Sequence, residues 1–92
     1  MECINLHNMY NYYFVEEFVE EFSDKEIATV FHDNDEVTKI YSVPKEEFLN
    51  VSIDILNRAR RDDRVSYEDI IKYLLGTINI LCCSDDVVKF EW

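Results

Sequence analysis

Phe14, Val15, Phe18, Val19 and Phe22 recur at the three- and four-residue spacing of one helical face, and Glu16, Glu17, Glu20 and Glu21 fill the opposite arc. The spacing predicts an amphipathic helix over residues 8–22 whose Phe/Val stripe helps to form a core. Tyr10 and Tyr13 fall on or beside the acidic arc.

Two β-branched runs, residues 27–32 and 37–43, flank the polar stretch Asp33-Asn34-Asp35-Glu36. They predict a β-hairpin over 26–43. Pairing His32 with Val37 puts Ile27, Thr29, Phe31, Thr38 and Ile40 on one face. Ala28, Val30, His32, Val37, Lys39 and Tyr41 then share the other. Both faces are semi-apolar, and the pattern does not choose between them. Ser23 with Glu26 also matches a helix capping box, so a short helix over 24–32 competes with the first strand.

Pro44 suits the first turn of a helix, where its missing N–H needs no partner. Glu46 and Glu47 follow at the positive end of the helix dipole, and Arg58, Arg60 and Arg61 lie at the negative end. Phe48, Val51, Ile55, Leu56 and Ala59 keep helical spacing through residue 61. Asp62-Asp63-Arg64 is a break, and Ser66 with Asp69 caps a further helix over 67–81. Its residues Ile70, Ile71, Tyr73, Leu74, Ile78 and Leu81 are apolar around much of the circumference, which marks it as the most buried helix. Val88, Phe90 and Trp92 alternate with Val87, Lys89 and Glu91 as in a strand. A lone hairpin is marginal in water, so this tail is expected to pair with it.

The chain thus reads as an α+β fold in the order α-β-β-α-α-β, with a small antiparallel sheet (hairpin plus C-terminal strand) packed by three helices. Residues 1–92 form a single domain in this reading. Its expected core is Phe14, Phe18, Phe22, Phe48, Leu56, Ile70 and Leu74. The composition agrees: 48% of the residues are hydrophobic, with six Phe, six Tyr and one Trp, which separates the chain from disordered acidic tails.

Twenty acids against nine bases give a net charge of −11. Nucleic acids and anionic membranes are poor partners for such a surface, and a basic protein is a good one. Residues 1–36 alone hold ten acids and one base, Lys25, a net of −9. Glu16, Glu17, Glu20, Glu21 and Asp24 form a row whose i, i+4 members rise about 6 Å along the helix. Like charges so placed repel, and the row can stand in for a phosphate backbone. Tyr10 and Tyr13 beside it are candidate aromatic anchors. The competing reading is a solvated face that only aids solubility.

Catalytic and cofactor chemistry finds little support. The chain has one glycine, too few for a phosphate-cradling loop. Asp33-Asn34-Asp35 opens like a calcium loop, but Pro44 stands where the bidentate Glu belongs. Cys3, His7, Cys82 and Cys83 offer weak zinc spacing, and core thiols with a surface His fit better. Cys82 or Cys83 with His32 makes a nucleophile pair on paper without a sequence signature. The carboxylates read as solvated groups. No enzyme and no cofactor is expected. An odd cysteine count with two adjacent members is no disulfide framework and suits a reduced cytoplasmic setting. Met1-Glu2-Cys3-Ile4-Asn5 has neither the basic nor the apolar region of a signal peptide, and no apolar run reaches membrane-span length.

In size, charge and aromatic content the chain resembles small phage-encoded anti-defence proteins, including anti-CRISPR and anti-restriction DNA mimics. It is also similar to bacterial immunity proteins that neutralise nuclease toxins. The resemblance is one of type and carries no residue assignments. It implies a non-catalytic inhibitor, monomeric or homodimeric, covering the basic nucleic-acid-binding surface of its partner. The alternatives are an immunity or antitoxin protein facing a basic toxin, a housekeeping interaction subunit and, last, a small enzyme.

Overall fold

The structure, a computed structural model, describes residues 3–92. Met1 and Glu2, the start of the segment read against a signal peptide, lie outside the described residues. In chain order the elements are β1 (Ile4–Asn5), α1 (Leu6–Met9), α2 (Tyr12–Glu21), β2 (Glu26–Phe31), β3 (Val37–Pro44), α3 (Lys45–Ala59), α4 (Tyr67–Cys83) and β4 (Val87–Glu91). A 3-10 turn, Ser23–Lys25, leads from α2 into β2. The competing helix over 24–32 is therefore absent. The expected α+β order is present, with two short additions at the start, β1 and α1.

The sheet runs β1-β4-β3-β2. The tail strand pairs antiparallel with β3, as Tyr41 with Phe90 and Val43 with Val88. β1 adds a parallel partner on its other side, Ile4 beside Phe90, so the sheet is mixed rather than purely antiparallel.

The hairpin register differs by one residue from the expectation: Phe31, not His32, pairs with Val37. Asp35 adopts a left-handed φ of 65°, a conformation that Asp tolerates better than most residues. It closes a three-residue loop between His32 and Glu36, whose backbone groups bond at 2.9 Å. A loop one residue shorter moves every pair by one. Val37, Lys39, Tyr41 and Val43 then share a face. Tyr41 and Val43 on it are buried with Val88 and Phe90 against the helices, while Thr38, Ile40 and Ser42 line the opposite face. β2 is exposed along its whole length.

One cluster of buried residues holds helices and sheet together. Its centre is aromatic. Phe14 stacks on Tyr73 with ring centroids 4.2 Å apart, Phe18 on Phe48 at 5.1 Å and Tyr41 on Phe90 at 5.2 Å. Each such side chain contributes about 1.5–3 kcal/mol on leaving water. The Phe/Val stripe of α2 faces this core as expected, with Phe14, Val15, Phe18 and Phe22 buried.

The last helices begin and end as their sequences direct. Glu46 and Glu47 lie in the first turn of α3 and Arg58 in its last. Pro44 ends β3 and caps the helix rather than entering it. Ser66 and Asp69 form the reciprocal capping box of α4.

α4 is not the most buried helix. Tyr73, Gly76, Thr77 and Ile80 turn inward, but Ile71, Leu74, Leu75 and Ile78 stay exposed. Its apolar circumference exceeds the one side that the layer beneath can cover. For the same reason Leu74 lies outside the core, and Leu56 and Ile70 are half-buried. Among the described residues no helix is long and apolar enough to cross a membrane.

Candidate partner-binding surface

α2 carries the acidic row on the side away from its Phe/Val stripe. Glu16, Glu20 and Glu21 are exposed, Glu17 is half-buried, and Asp24 is exposed in the 3-10 turn. The row is not uniform. Arg58 of α3 reaches across and donates to Glu17 and Glu21, each at 3.1 Å. Burial lowers the affinity of that guanidinium for its proton, but the Glu21 hydrogen bond and the charges of Glu17 and Glu21 outweigh it and raise its pKa. Two acids of the row therefore belong to the α2–α3 contact. Glu16, Glu20 and Asp24 make no ion pair among the described residues.

The two expected anchors are differently placed. Tyr10 is 5% exposed and belongs to the core. The expected helix over 8–22 breaks at Tyr10 and Asn11, both with extended backbone. The break takes Tyr10 off the face of α2 and stacks it on Phe18 and Tyr73 at 5.0 and 5.3 Å. Its hydroxyl shares a 2.9 Å hydrogen bond with Thr77, and burial, partly offset by that bond, pushes its pKa well up. Tyr10 is thus removed from the surface assigned to it.

Tyr13 is half-buried at the end of the row next to Asp62 and Arg64, with the guanidinium carbon 5.9 Å from its ring centroid. Partial burial, then the charges of Glu17 and Asp62, raise its pKa.

Tyr12, absent from the sequence-derived set, is 64% exposed. It stands four residues before Glu16 and eight before Glu20, on the same line of the helix. A hydrogen bond to the Glu16 carboxylate, followed by that group's charge, raises its pKa. Tyr12, Glu16, Val19, Glu20 and Trp92 line a shallow hollow. The Tyr12–Glu16–Glu20 spacing was visible in the sequence. The approach of Trp92 was not, because it depends on the mutual bonds between Trp92 and Lys39 that extend the β3–β4 ladder.

The other chemistry considered is dispersed. Cys3, Cys82 and Cys83 are free and exposed, not the core thiols expected, since all lie at element edges or on the outer side of α4. Among the described residues no group of three or more His, Cys, Asp and Glu is placed to hold a metal ion. His32 bonds to Thr38 at 2.8 Å.

What this surface offers is a helix on which Glu16 and Glu20, neither in an ion pair, stand one turn apart, about 6 Å along its axis, with aromatic rings at their margin. Comparison of the chain with known protein families, with curated proteins and with solved structures finds no match.

Proposed function

We propose that this chain is a non-catalytic binding protein of the cytoplasm that covers a basic, nucleic-acid-binding surface of another protein. The kind is that of a DNA-mimic inhibitor, such as an anti-CRISPR or anti-restriction protein. The observation that carries this reading is the unpaired line of Glu16, Glu20 and Asp24 beside Tyr12 and Trp92. Arg58 holds Glu17 and Glu21 behind that line.

A groove built to receive phosphates meets carboxylates of the same sign, two of them one turn apart on α2 and the third in the 3-10 turn that follows. The rings supply the apolar contact that slows dissociation. The charge distribution supports the same reading, with a net of −9 concentrated in residues 1–36.

The test uses the full chain as bait in a lysate of its native host, wild type against the double variant Glu16→Lys, Glu20→Lys, with bound proteins identified by mass spectrometry. A basic nucleic-acid-handling protein should be retained by the wild type and lost by the variant. Its affinity should fall as salt rises and the Debye length shrinks to about 8–10 Å, and nucleic acid should compete for it. A partner that binds both chains equally, or that nucleic acid does not displace, returns the acidic face to solubility alone.

A further inference from the structure

Arg58 bridges two carboxylates that stand one turn apart on α2. One terminal nitrogen of its guanidinium donates to Glu17 and the other to Glu21, each at 3.1 Å. The planar fork has the width for this, and the i, i+4 spacing sets an acid at each prong. Glu16 and Glu20 repeat that pair one residue earlier in the chain, about 100° round the helix. Both are exposed, and neither makes an ion pair among the described residues. The same helix thus holds one glutamate pair that grips a guanidinium and a second pair of equal spacing that is open.

Two aromatic rings turn the open pair into a hollow. Tyr12 stands one turn before Glu16 on the same line of α2, and Trp92 comes from the end of the sheet, with Val19 as further apolar lining. Trp92 alternates with Val88 and Phe90, so its ring lies on the helix-facing side of the sheet, half-buried. Its backbone exchanges two 3.0 Å hydrogen bonds with Lys39, which fix its position. The Tyr12 hydroxyl donates to Glu16 and orients that carboxylate, whose remaining lone pairs can still accept. Aromatic faces beside carboxylates suit a flat, weakly hydrated cation that stacks on the rings while its edge N–H groups reach the acids. An ammonium is compact and strongly hydrated, so it gives up more water and spans the two acids less well.

We propose that this hollow receives one arginine side chain of the partner, its guanidinium against Tyr12 and Trp92 and its N–H groups on Glu16 and Glu20. The inference rests on the reading that α2 meets a basic protein, and it names the side chain by which that protein is held. Lys39 is this chain's own base placed to compete, since it lies opposite Trp92 in the ladder. It does not line the hollow and makes no ion pair among the described residues. Two acids beside one base leave the hollow net negative.

Trp92 is the chain's only tryptophan, so its indole N–H gives a single NMR signal that reports on the hollow. The full chain is titrated at constant low ionic strength with N-acetylarginine N-methylamide, and in parallel with the matching blocked lysine and blocked citrulline. Blocked arginine should shift the indole signal saturably, with half-saturation on the order of 10 mM. Blocked lysine should bind at least about threefold more weakly, and citrulline, which has the shape without the charge, should give no saturable shift. Glu16→Gln with Glu20→Gln should weaken the arginine response at least about fivefold, and Tyr12→Leu about threefold. These three positions are exposed, so circular dichroism should be unchanged. Free arginine, whose own carboxylate meets the acids, should bind no more tightly than the blocked form. No saturable shift in the wild type, an equal response to lysine or citrulline, tighter binding of free arginine, or binding that survives the double glutamine change overturns the proposal. So does a response that emerges only in Lys39→Met, which would make Lys39 the occupant. A basic partner retained by the wild type and lost by Glu16→Lys, Glu20→Lys, together with no arginine response, keeps the basic-surface reading and overturns the arginine receptor. An arginine response without any basic nucleic-acid-handling partner does the reverse.

Discussion

The hydroxyls of Tyr10 and Thr77 meet at 2.9 Å inside the core and tie the break between α1 and α2 to the middle of α4. Tyr10→Phe keeps the ring stacking but leaves the Thr77 hydroxyl without this partner in a buried setting. Its expected cost is about 1–2 kcal/mol, read from the urea midpoint. Tyr10→Ala also removes the ring and should cost about 3–5 kcal/mol. Neither change should alter partner binding once the variant is folded. Loss of binding by folded Tyr10→Phe would contradict the position described for this ring.

Directly beneath that break lies the chain's sole glycine. A Cβ on Gly76 would stand 2.9 Å from the Met9 carbonyl oxygen and 3.3 Å from the Tyr10 ring. Alanine gains about 1 kcal/mol of helix propensity over glycine. The nearest obstacle here is backbone, so the first segment must lift away, at a cost of about 1–3 kcal/mol. Gly76→Ala should therefore lower the melting temperature, or at best leave it level. A clear rise would mean that the α1–α4 contact yields more easily than the geometry implies.

Arg58 is half-exposed, and its two ion pairs are correspondingly modest. Arg58→Gln should cost about 0.5–1.5 kcal/mol at low salt, combining the lost attraction with the unrelieved repulsion between Glu17 and Glu21. The difference from wild type should shrink as salt is added. A loss that persists in high salt would assign Arg58 a packing role for its aliphatic stem.

Acid should loosen the segment that joins α3 to α4. The Asp62 carboxyl is held well below the usual range, first by the hydrogen bond from the Arg64 side chain and then by the Arg64 backbone N–H. Asp69 is lowered by its hydrogen bonds with Ser66. A carboxylate whose pKa falls on folding stabilises the native state in full above its unfolded value, about 3.9. It loses that contribution as pH drops through the lower folded value. Urea midpoints should therefore decline below about pH 4, and Asp62→Asn with Asp69→Asn should shallow the decline. Parallel pH profiles for the two chains would count against these carboxylates as the acid-sensitive groups.

The Cys3 thiol is pushed up in pKa by burial and then by the charge of Glu91, with Lys89 opposing. The thiolate is the reactive form, so Glu91→Gln should speed modification of Cys3 at neutral pH. Stopped-flow labelling in a Cys82→Ser, Cys83→Ser background isolates the effect. An unchanged rate would leave access, rather than ionisation, in control of this thiol.

Elements long enough to repeat their pattern were legible in the sequence: the Phe/Val stripe of α2, the capped helices α3 and α4, and the alternation of β4. β1 and α1 span two and four residues and have no period to read. The break at Tyr10 contains neither glycine nor proline, so nothing local announces it, and the tyrosine was placed on the surface as a result. The hairpin register turned on a left-handed Asp35 where glycine is the usual signal. α4 reads as enclosed because it is apolar all round, whereas its outer side has no layer above it. For the acidic row, the sequence located the charges but not Arg58, which reaches Glu17 and Glu21 from about forty residues away in the chain.

β4 lies between β1 and β3. This constrains the order of events at the ribosome. At about 5–20 residues per second, β1 and the hairpin are made several seconds before residues 87–91. Until those residues clear the exit tunnel, β1 has no strand to join and the inner edge of β3 stays open, with Tyr41 and Val43 uncapped. The helices can collapse on one another early, but the sheet closes only in one late step of high sequence separation, the kind of contact that slows folding most. The nascent chain is thus most vulnerable to misassociation just before β4 arrives.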